Sequence, residues 1–570
     1  MQFNQEILKR SYIESKRDRL KHLLYSLNHF ELPVKLESVN HPMKEILLYL
    51  YAYKWLRENV HPNYYEEVLS VANNETYAFL INLLVHSPDE RQFLIDYIYH
   101  CIKPENIDKA PHNIKVRIVY EEHNSNIERT LEAILKTWEQ LGYLQAKKSL
   151  LISDETKRQK QIFNDIGGTV DRKRLKLLDE LPDSYAIKRP SDFAKLAIVP
   201  TFRCKSRCRH CMFLWRPVIK QTISPQKLYT LLNPLTKNLL FTGGDLTVNL
   251  DDFYSAVKTM NHIQTFAILL NGAFAGTGKK SDRVFKAIGR ALKQRAAKRF
   301  PLARVLMQIS FDEFHQDVHA DSGGNFYERL PVRNIANILE SSLPYQNISV
   351  VLLHKQNAYN FSEALFKKGV FYRLVEELAI RGNPIKIINI GKSQRPKEHP
   401  VTKKTSLAMI TDVHFILSRN PQKVFLMNSS LVDRIGGARF LDPGEYVKSD
   451  EIKSTITKLS LKEETMDMDL MFWLDGQVTS FSLPFLTWGN LFDDAIETIL
   501  ARYSKDPLVH ALQQFDKRLL DYCRDIREDF DIIFQNSSSH VNLFYNIFES
   551  PKVRLELTER LINENRRPGR

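Results

Sequence analysis

Between residues 193 and 390, short apolar runs alternate with amphipathic stretches, and this alternation limits the fold more than any other feature of the chain. The runs are FAKLAIVP (193–200), NLLFTGG (238–244), TFAILLNG (265–272), RVLMQISFD (304–312), ISVVLLH (348–354) and IKIINI (385–390). Stretches of helical period separate them, near 224–235, 250–261, 281–298, 329–341 and 361–381. In the third, Val284, Phe285, Ile288 and Leu292 make one apolar stripe, with Lys286, Arg290, Lys293 and Arg295 largely off it. That is the pattern of a helix with a solvated charged face. Strands alternating with helices predict right-handed βαβ units and a parallel sheet. Six such strands fit an open doubly wound sheet or a partial barrel, and periodicity does not choose between them.

The flanks read differently. Residues 1–190 carry apolar residues at three- and four-residue spacing, as in MKEILLYLYAYKWLREN, and predict a helical domain. Tyr49, Tyr51, Tyr53 and Trp55 alternate by two there. On a helix they spread around the circumference, to pack in a core or to meet a partner. After residue 400 the alternation stops. The segment 401–464 is mixed, and MFWLDGQVTSF suggests a hairpin turning at Asp475-Gly476. Residues 490–570 return to helical patterns and end in NENRRPGR, a tail expected to fray. A chain of 570 residues exceeds one ordinary core. The expected division is a helical domain over 1–190, an α/β core over 191–400, an extension over 401–500 and a helical tail over 501–570.

The charged N-terminus lacks the apolar stretch of a signal peptide. No apolar run reaches the ~20 residues of a membrane span. The expectation is a cytoplasmic protein with no membrane partner. The net charge of +14 is modest for this length and reads as a solvated basic surface rather than a nucleic-acid site.

Five cysteines serve the whole chain, and Cys204, Cys208 and Cys211 fall within eight positions, in TFRCKSRCRHCMF. In a reducing cytosol a tight trio reads as metal ligands or redox chemistry. Structural zinc wants four protein ligands, usually in two separated pairs. No second pair exists, and His210 is too close to Cys211 for an easy chelate. A 4Fe–4S cluster held by three cysteines leaves one iron open to a small-molecule ligand.

The C-x3-C-x2-C spacing just after the first predicted strand resembles the signature of the radical S-adenosylmethionine (SAM) superfamily. The resemblance covers about 190–395 and implies a (βα)6 partial TIM barrel. It also implies a 4Fe–4S cluster on the three cysteines, with His210 beside the adenine of SAM. Gly243-Gly244-Asp245 resembles the family's glycine-glycine-acid motif, with aspartate where glutamate is usual. The glycines permit a close backbone approach to a ligand, and the acid would meet the methionine ammonium. Ser310 and Asp312 alternate along one face of the fourth strand and resemble the family's contacts to ribose or carboxylate. Asn271 closes the third strand and would join them, and Glu313, Phe314 and His315 follow at the strand's mouth. All lie at carboxyl ends of strands, where parallel α/β barrels assemble their sites.

WLDGQVTSFSLPFLTWGNLFDD resembles the SPASM or twitch extension, but Ser480 and Phe481 stand where its auxiliary-cluster cysteines are expected. Cys101 and Cys523 read as inert core residues. The resemblance implies an oxidoreductase-type radical enzyme with one cluster. It would cleave SAM reductively to a 5′-deoxyadenosyl radical that abstracts hydrogen from a substrate. That substrate is expected to be a peptide or protein captured by the helical domain, with flavodoxin or ferredoxin as electron donor. A small metabolite or nucleic acid is the alternative substrate. A non-enzymatic metal-binding interaction protein is the competing class.

Overall fold

The computed structural model describes residues 2–28, 40–69, 75–87, 89–109, 111–186, 193–219, 221–393, 397–398, 406–442, 445–446, 466–537 and 539–565. Much of the mixed segment 401–464, and the last five residues of the tail, lie outside these.

The protein is mixed α/β, built on one eleven-stranded, mostly parallel sheet. In chain order its strands are β1 (Leu196–Val199), β2 (Asn238–Phe241), β3 (Thr265–Leu270), β4 (Arg304–Ser310), β5 (Ile348–Gln356), β6 (Ile385–Lys392), β7 (Ile410–Leu417), β8 (Asn420–Leu431), β9 (Leu470–Trp473), β10 (Gln477–Ser480) and β11 (Thr487–Asn490). The spatial order is β11-β10-β9-β1-β2-β3-β4-β5-β8-β7-β6. The run from β9 to β8 is parallel throughout. Antiparallel strands extend both edges.

Two placements differ from the sequence expectation of six parallel strands in chain order. The run 385–390 is a strand, β6, but it lies antiparallel to β7 at the sheet's edge. The parallel place beside β5 belongs to β8, from the segment of unclear pattern. Burial gives the reason: Phe425 and Met427 of β8 point into the core, whereas Ile387 and Ile388 of β6 are exposed. The hairpin at Asp475-Gly476 forms as expected, with Gly476 at φ +85°. Its first strand, β9, lies parallel to β1, so this extension continues the main sheet.

One face of the sheet is sealed. Phe266, Ile268 and Leu270 of β3, and Val305, Met307 and Ile309 of β4, are buried. The helices Leu250–Thr259, Gly278–Ala297, Val332–Ser342 and Gly369–Ile380 pack side by side in chain order. Each such Phe or Ile contributes about 1.5–3 kcal/mol by burial. Thr277 fixes the start of the longest of these helices, its Oγ1 accepting from Lys280 N at 3.3 Å. The opposite face alternates: Leu306, Gln308 and Ser310 are only half-buried. That face and its carboxyl end are where ligand-sized space remains.

Two hydrophobic cores divide the chain. The N-terminal helices share one, which includes Tyr51, Tyr53 and Trp55. Tyr51 meets Trp138 edge-on at 4.5 Å and Tyr53 lies 4.0 Å from Phe93, so these aromatics pack internally. The sheet and the C-terminal helices share the other. The division falls within the 38-residue helix Ile127–Asn164, upstream of residue 190: Leu131, Ile134 and Trp138 join the first core and Phe163 joins the second. Among the described residues, no helix is long and apolar enough to cross a membrane.

Candidate functional site

The chain leaves the carboxyl end of β1 at Val199 and enters the loop that carries Cys204, Cys208 and Cys211. All three thiols are half-buried and unbridged. The loop is gripped on several sides. At the end of β2, Gly244 N donates to Thr201 O and Asp245 N donates to Arg203 O, both at 2.7 Å. A Cβ on Gly243 would meet the Thr201 carbonyl, and one on Gly244 the Arg203 carbonyl. Arg216 donates to Cys204 O at 2.7 Å and reaches Cys211 Sγ at 3.8 Å. Arg329 donates to the carbonyls of Ser206 and Arg207 at 2.7 and 3.1 Å. From behind, Gly437 N donates to Cys211 O at 2.8 Å, and Gly436 lies against Met212 O. Gln159 donates to Met212 O and accepts from Trp215 N, both at 2.8 Å.

The sequence reading placed Gly243 and Gly244 correctly but for a different reason. They admit the backbone of the cysteine loop itself. Gly436-Gly437 does the same from the other side and was not singled out, although the doublet is visible in the sequence. Gln159, Arg216 and Arg329 carry no sequence signal, because their role depends on contacts far along the chain.

The other expected site residues divide into two groups. Asn271 lies beside the loop, its Nδ2 donating to Ser206 Oγ at 3.3 Å and its Oδ1 accepting from Ala273 N at 2.9 Å. Ser310 closes β4 on the half-buried face, and its hydroxyl makes no hydrogen bond among the described residues. Asp245 is turned to its own turn: Oδ1 accepts from Thr247 N at 3.1 Å and Thr247 Oγ1 at 2.7 Å. Asp312 is occupied too, accepting from the backbone N–H groups of Phe314 and His315 at 2.9 and 3.0 Å and lying 3.0 Å from His315 Nδ1. Glu313 points away from the loop and accepts from Val370 N and from Arg373.

His210 lies 3.7 Å from Asp312 through Nε2 and stacks on Phe314 at 4.5 Å. Burial pushes its imidazole down to about 4. Burial would lower His315 as well, but the Asp312 carboxylate overrides it and holds the ring well above the ordinary imidazole value. Burial would likewise raise Asp312, yet His315 and His210 keep it far below the usual carboxylate range.

The donor set separates two kinds of metal centre. A tetrahedral zinc with Zn–S bonds of ~2.3 Å would draw its sulfurs within about 4 Å of one another. Among the described residues, the one group of possible ligands gathered within 4.8 Å is His210, Asp312 and His315. The three thiols are more widely spread than a single ion requires, and three soft donors at wider spacing fit a multi-iron cluster. A cavity of about 1070 Å³ opens beside the loop, lined by Cys208, Cys211, Arg209, Trp215, Trp55 and Phe440. Cys101 and Cys523 are buried apart from this site, and burial pushes both thiols up to about 12. No known family's profile matches the chain, and no curated protein matches it.

Proposed function

We propose that the chain is a radical SAM enzyme whose 4Fe–4S cluster sits on Cys204, Cys208 and Cys211. The observation that carries this reading is the placement of three unbridged, half-buried thiols on one loop at the carboxyl end of a parallel strand, clasped by Gly243-Gly244 and spread too widely for one ion. The parallel strands are read as the wall of a partial (βα)6-type barrel with the half-covered face inside, and β9 to β11 as a SPASM-like extension without a second cluster. When bound, the cluster and SAM supply a one-electron cleavage of the sulfonium and a 5′-deoxyadenosyl radical.

The chain's own residues hold, orient and shield. The three thiolates anchor the cluster. Ser310 and Asn271 offer polar groups to SAM on the half-buried face, and His210 presents its ring beside the loop. Asp245 and Asp312 serve this site through the backbone and through other side chains, because protein partners already occupy them. The substrate is read as a peptide or protein, docked through the N-terminal helices, with a flavodoxin- or ferredoxin-type donor.

The test is direct. Anaerobically reconstituted protein is expected to hold about four irons per chain and, once reduced, to release 5′-deoxyadenosine from SAM. Replacing the three cysteines with alanine should abolish both, and replacing Cys101 and Cys523 should abolish neither. The gathering of His210, Asp312 and His315 favours a second reading, a protein that holds one metal ion without turnover. A colourless protein with one zinc per chain would establish that reading and remove the first.

A further inference from the structure

His315 stands between a carboxylate and a thiol. Asp312 is locked into the turn after β4 by two backbone N–H donors. Both of its oxygens lie 3.0 Å from His315 Nδ1. That contact places a proton on Nδ1 and fixes the plane of the ring. The same imidazole is hydrogen-bonded to Cys208. With Nδ1 engaged by Asp312, the bond to Cys208 falls to Nε2. Neighbours prevent the ring from swinging away: His210 meets it edge-on at 5.0 Å and 84°, and His210 is itself stacked on Phe314. A carboxylate–histidine pair aimed at a metal ligand is a recurring way of tuning a metal centre from outside its coordination sphere.

We propose, resting on the radical SAM reading, that Asp312 orients His315 so that its Nε2–H donates to the Cys208 sulfur and raises the reduction potential of the cluster anchored there. The physical reason is charge. Reduction adds an electron to a cluster and its thiolates, and a fixed donor at one sulfur stabilises the more negative state more than the less negative one. Arg216 gives Cys211 a longer contact of 3.8 Å from a guanidinium that also serves Cys204 O. His315 differs in having its donor direction enforced by a buried carboxylate. This makes His315 and Asp312 positioning residues rather than groups that touch substrate, and it accounts for an aspartate on the site face whose oxygens are turned to protein.

The experiment is a redox titration followed by electron paramagnetic resonance, on full-length wild type, His315→Ala, His315→Gln and Asp312→Asn. All four are expected to hold about four irons per chain. The potential should fall most in His315→Ala, less in Asp312→Asn, and be partly restored in His315→Gln, which keeps a donor. Wild type grown with 15N-histidine should show nitrogen coupling to the reduced cluster, absent in His315→Gln. An intact cluster with an unchanged potential in His315→Ala overturns the relay and leaves the enzyme reading standing. If His315→Ala loses its cluster, the labelled wild type decides, and no nitrogen coupling overturns the relay. Wild type without iron and sulfide overturns both. A single metal ion in wild type, lost in Asp312→Asn, also overturns the relay and makes the triad a metal site.

Discussion

A methyl group at position 244 would meet the carbonyl of Arg203 and the backbone of Phe202, and neither can move without moving the cysteine loop. At position 437 it would meet the carbonyls of Arg209 and Cys211. At position 276 nothing lies within 4 Å. Gly244→Ala and Gly437→Ala are therefore expected to destabilise the fold by about 1–3 kcal/mol, the usual cost of overpacking, and to lower bound iron. Gly276→Ala should leave both unchanged. Iron assays and denaturant midpoints on the three variants would check this, and equal iron in all three would show that the loop tolerates displacement. The cysteines were legible in the sequence because ligand chemistry needs those atoms at that spacing. The glycines were legible as a doublet after a strand, but their reason was not, since a glycine shows that something comes close without showing what. Asp312 was legible as a polar residue on the site face. Its partner His315 was placed at the strand's mouth, but the hydrogen bonds between them depend on a turn that periodicity does not describe.

The helix Thr169–Asp179 shows how a short element is tied to the end of the chain. Arg174 is fully buried, paired with Asp506, and donates to Thr558 Oγ1 at 3.0 Å and Thr487 O at 3.3 Å. Asp171 accepts from Arg554 at 2.8 Å, and Asp179 accepts from Arg502 at 2.7 and 2.9 Å. Removing one member of a buried pair leaves the other charge uncompensated. Arg174→Ala is expected to cost about 3–5 kcal/mol by chemical denaturation, and the double variant Arg174→Met with Asp506→Leu should cost clearly less. Similar losses in the two would mean that Arg174 acts through volume rather than charge. These pairings join residues hundreds of positions apart, so no local pattern announces them. Element identity was readable where apolar period was strong, as in the helix with Val284, Phe285 and Ile288. Element neighbours were not: β6 has the composition of a core strand, yet its place is fixed by pairing with β7. In β8 the two inward residues Phe425 and Met427 are flanked by polar Lys423, Asn428 and Ser429, which hid a central strand.

The two cores set where the molecule can be divided. Phe163, Ile166, Leu175, Leu178 and Leu181 belong to the core of the sheet. Gln159 supports the cysteine loop, Glu155 pairs with Arg439, and Arg158 pairs with Glu549. A chain beginning at residue 185 lacks all of these and is expected to be insoluble or to hold no cluster. A chain beginning at residue 150 keeps them. It loses the N-terminal helices and their ties to the sheet domain: Arg19 to Asp442 and Glu445, Asp18 to Lys368, and Gln5 to Phe326. It also uncovers Val318 and Phe326, which pack into the N-terminal core, and removes Trp55 from the wall of the cavity beside Cys208. The shorter chain is therefore expected to fold, to bind about four irons and to cleave SAM without substrate, while its cluster bleaches faster in air or chelator than in the full chain. Turnover of a docked peptide should be lost. Bleaching rates and 5′-deoxyadenosine release from the chains beginning at 1, 150 and 185 separate the cases. Equal bleaching in the first two would mean that the N-terminal helices do not shield the thiols. An active, soluble chain from 185 would mean that the helix Thr169–Asp179 is dispensable and that the sheet core closes without it.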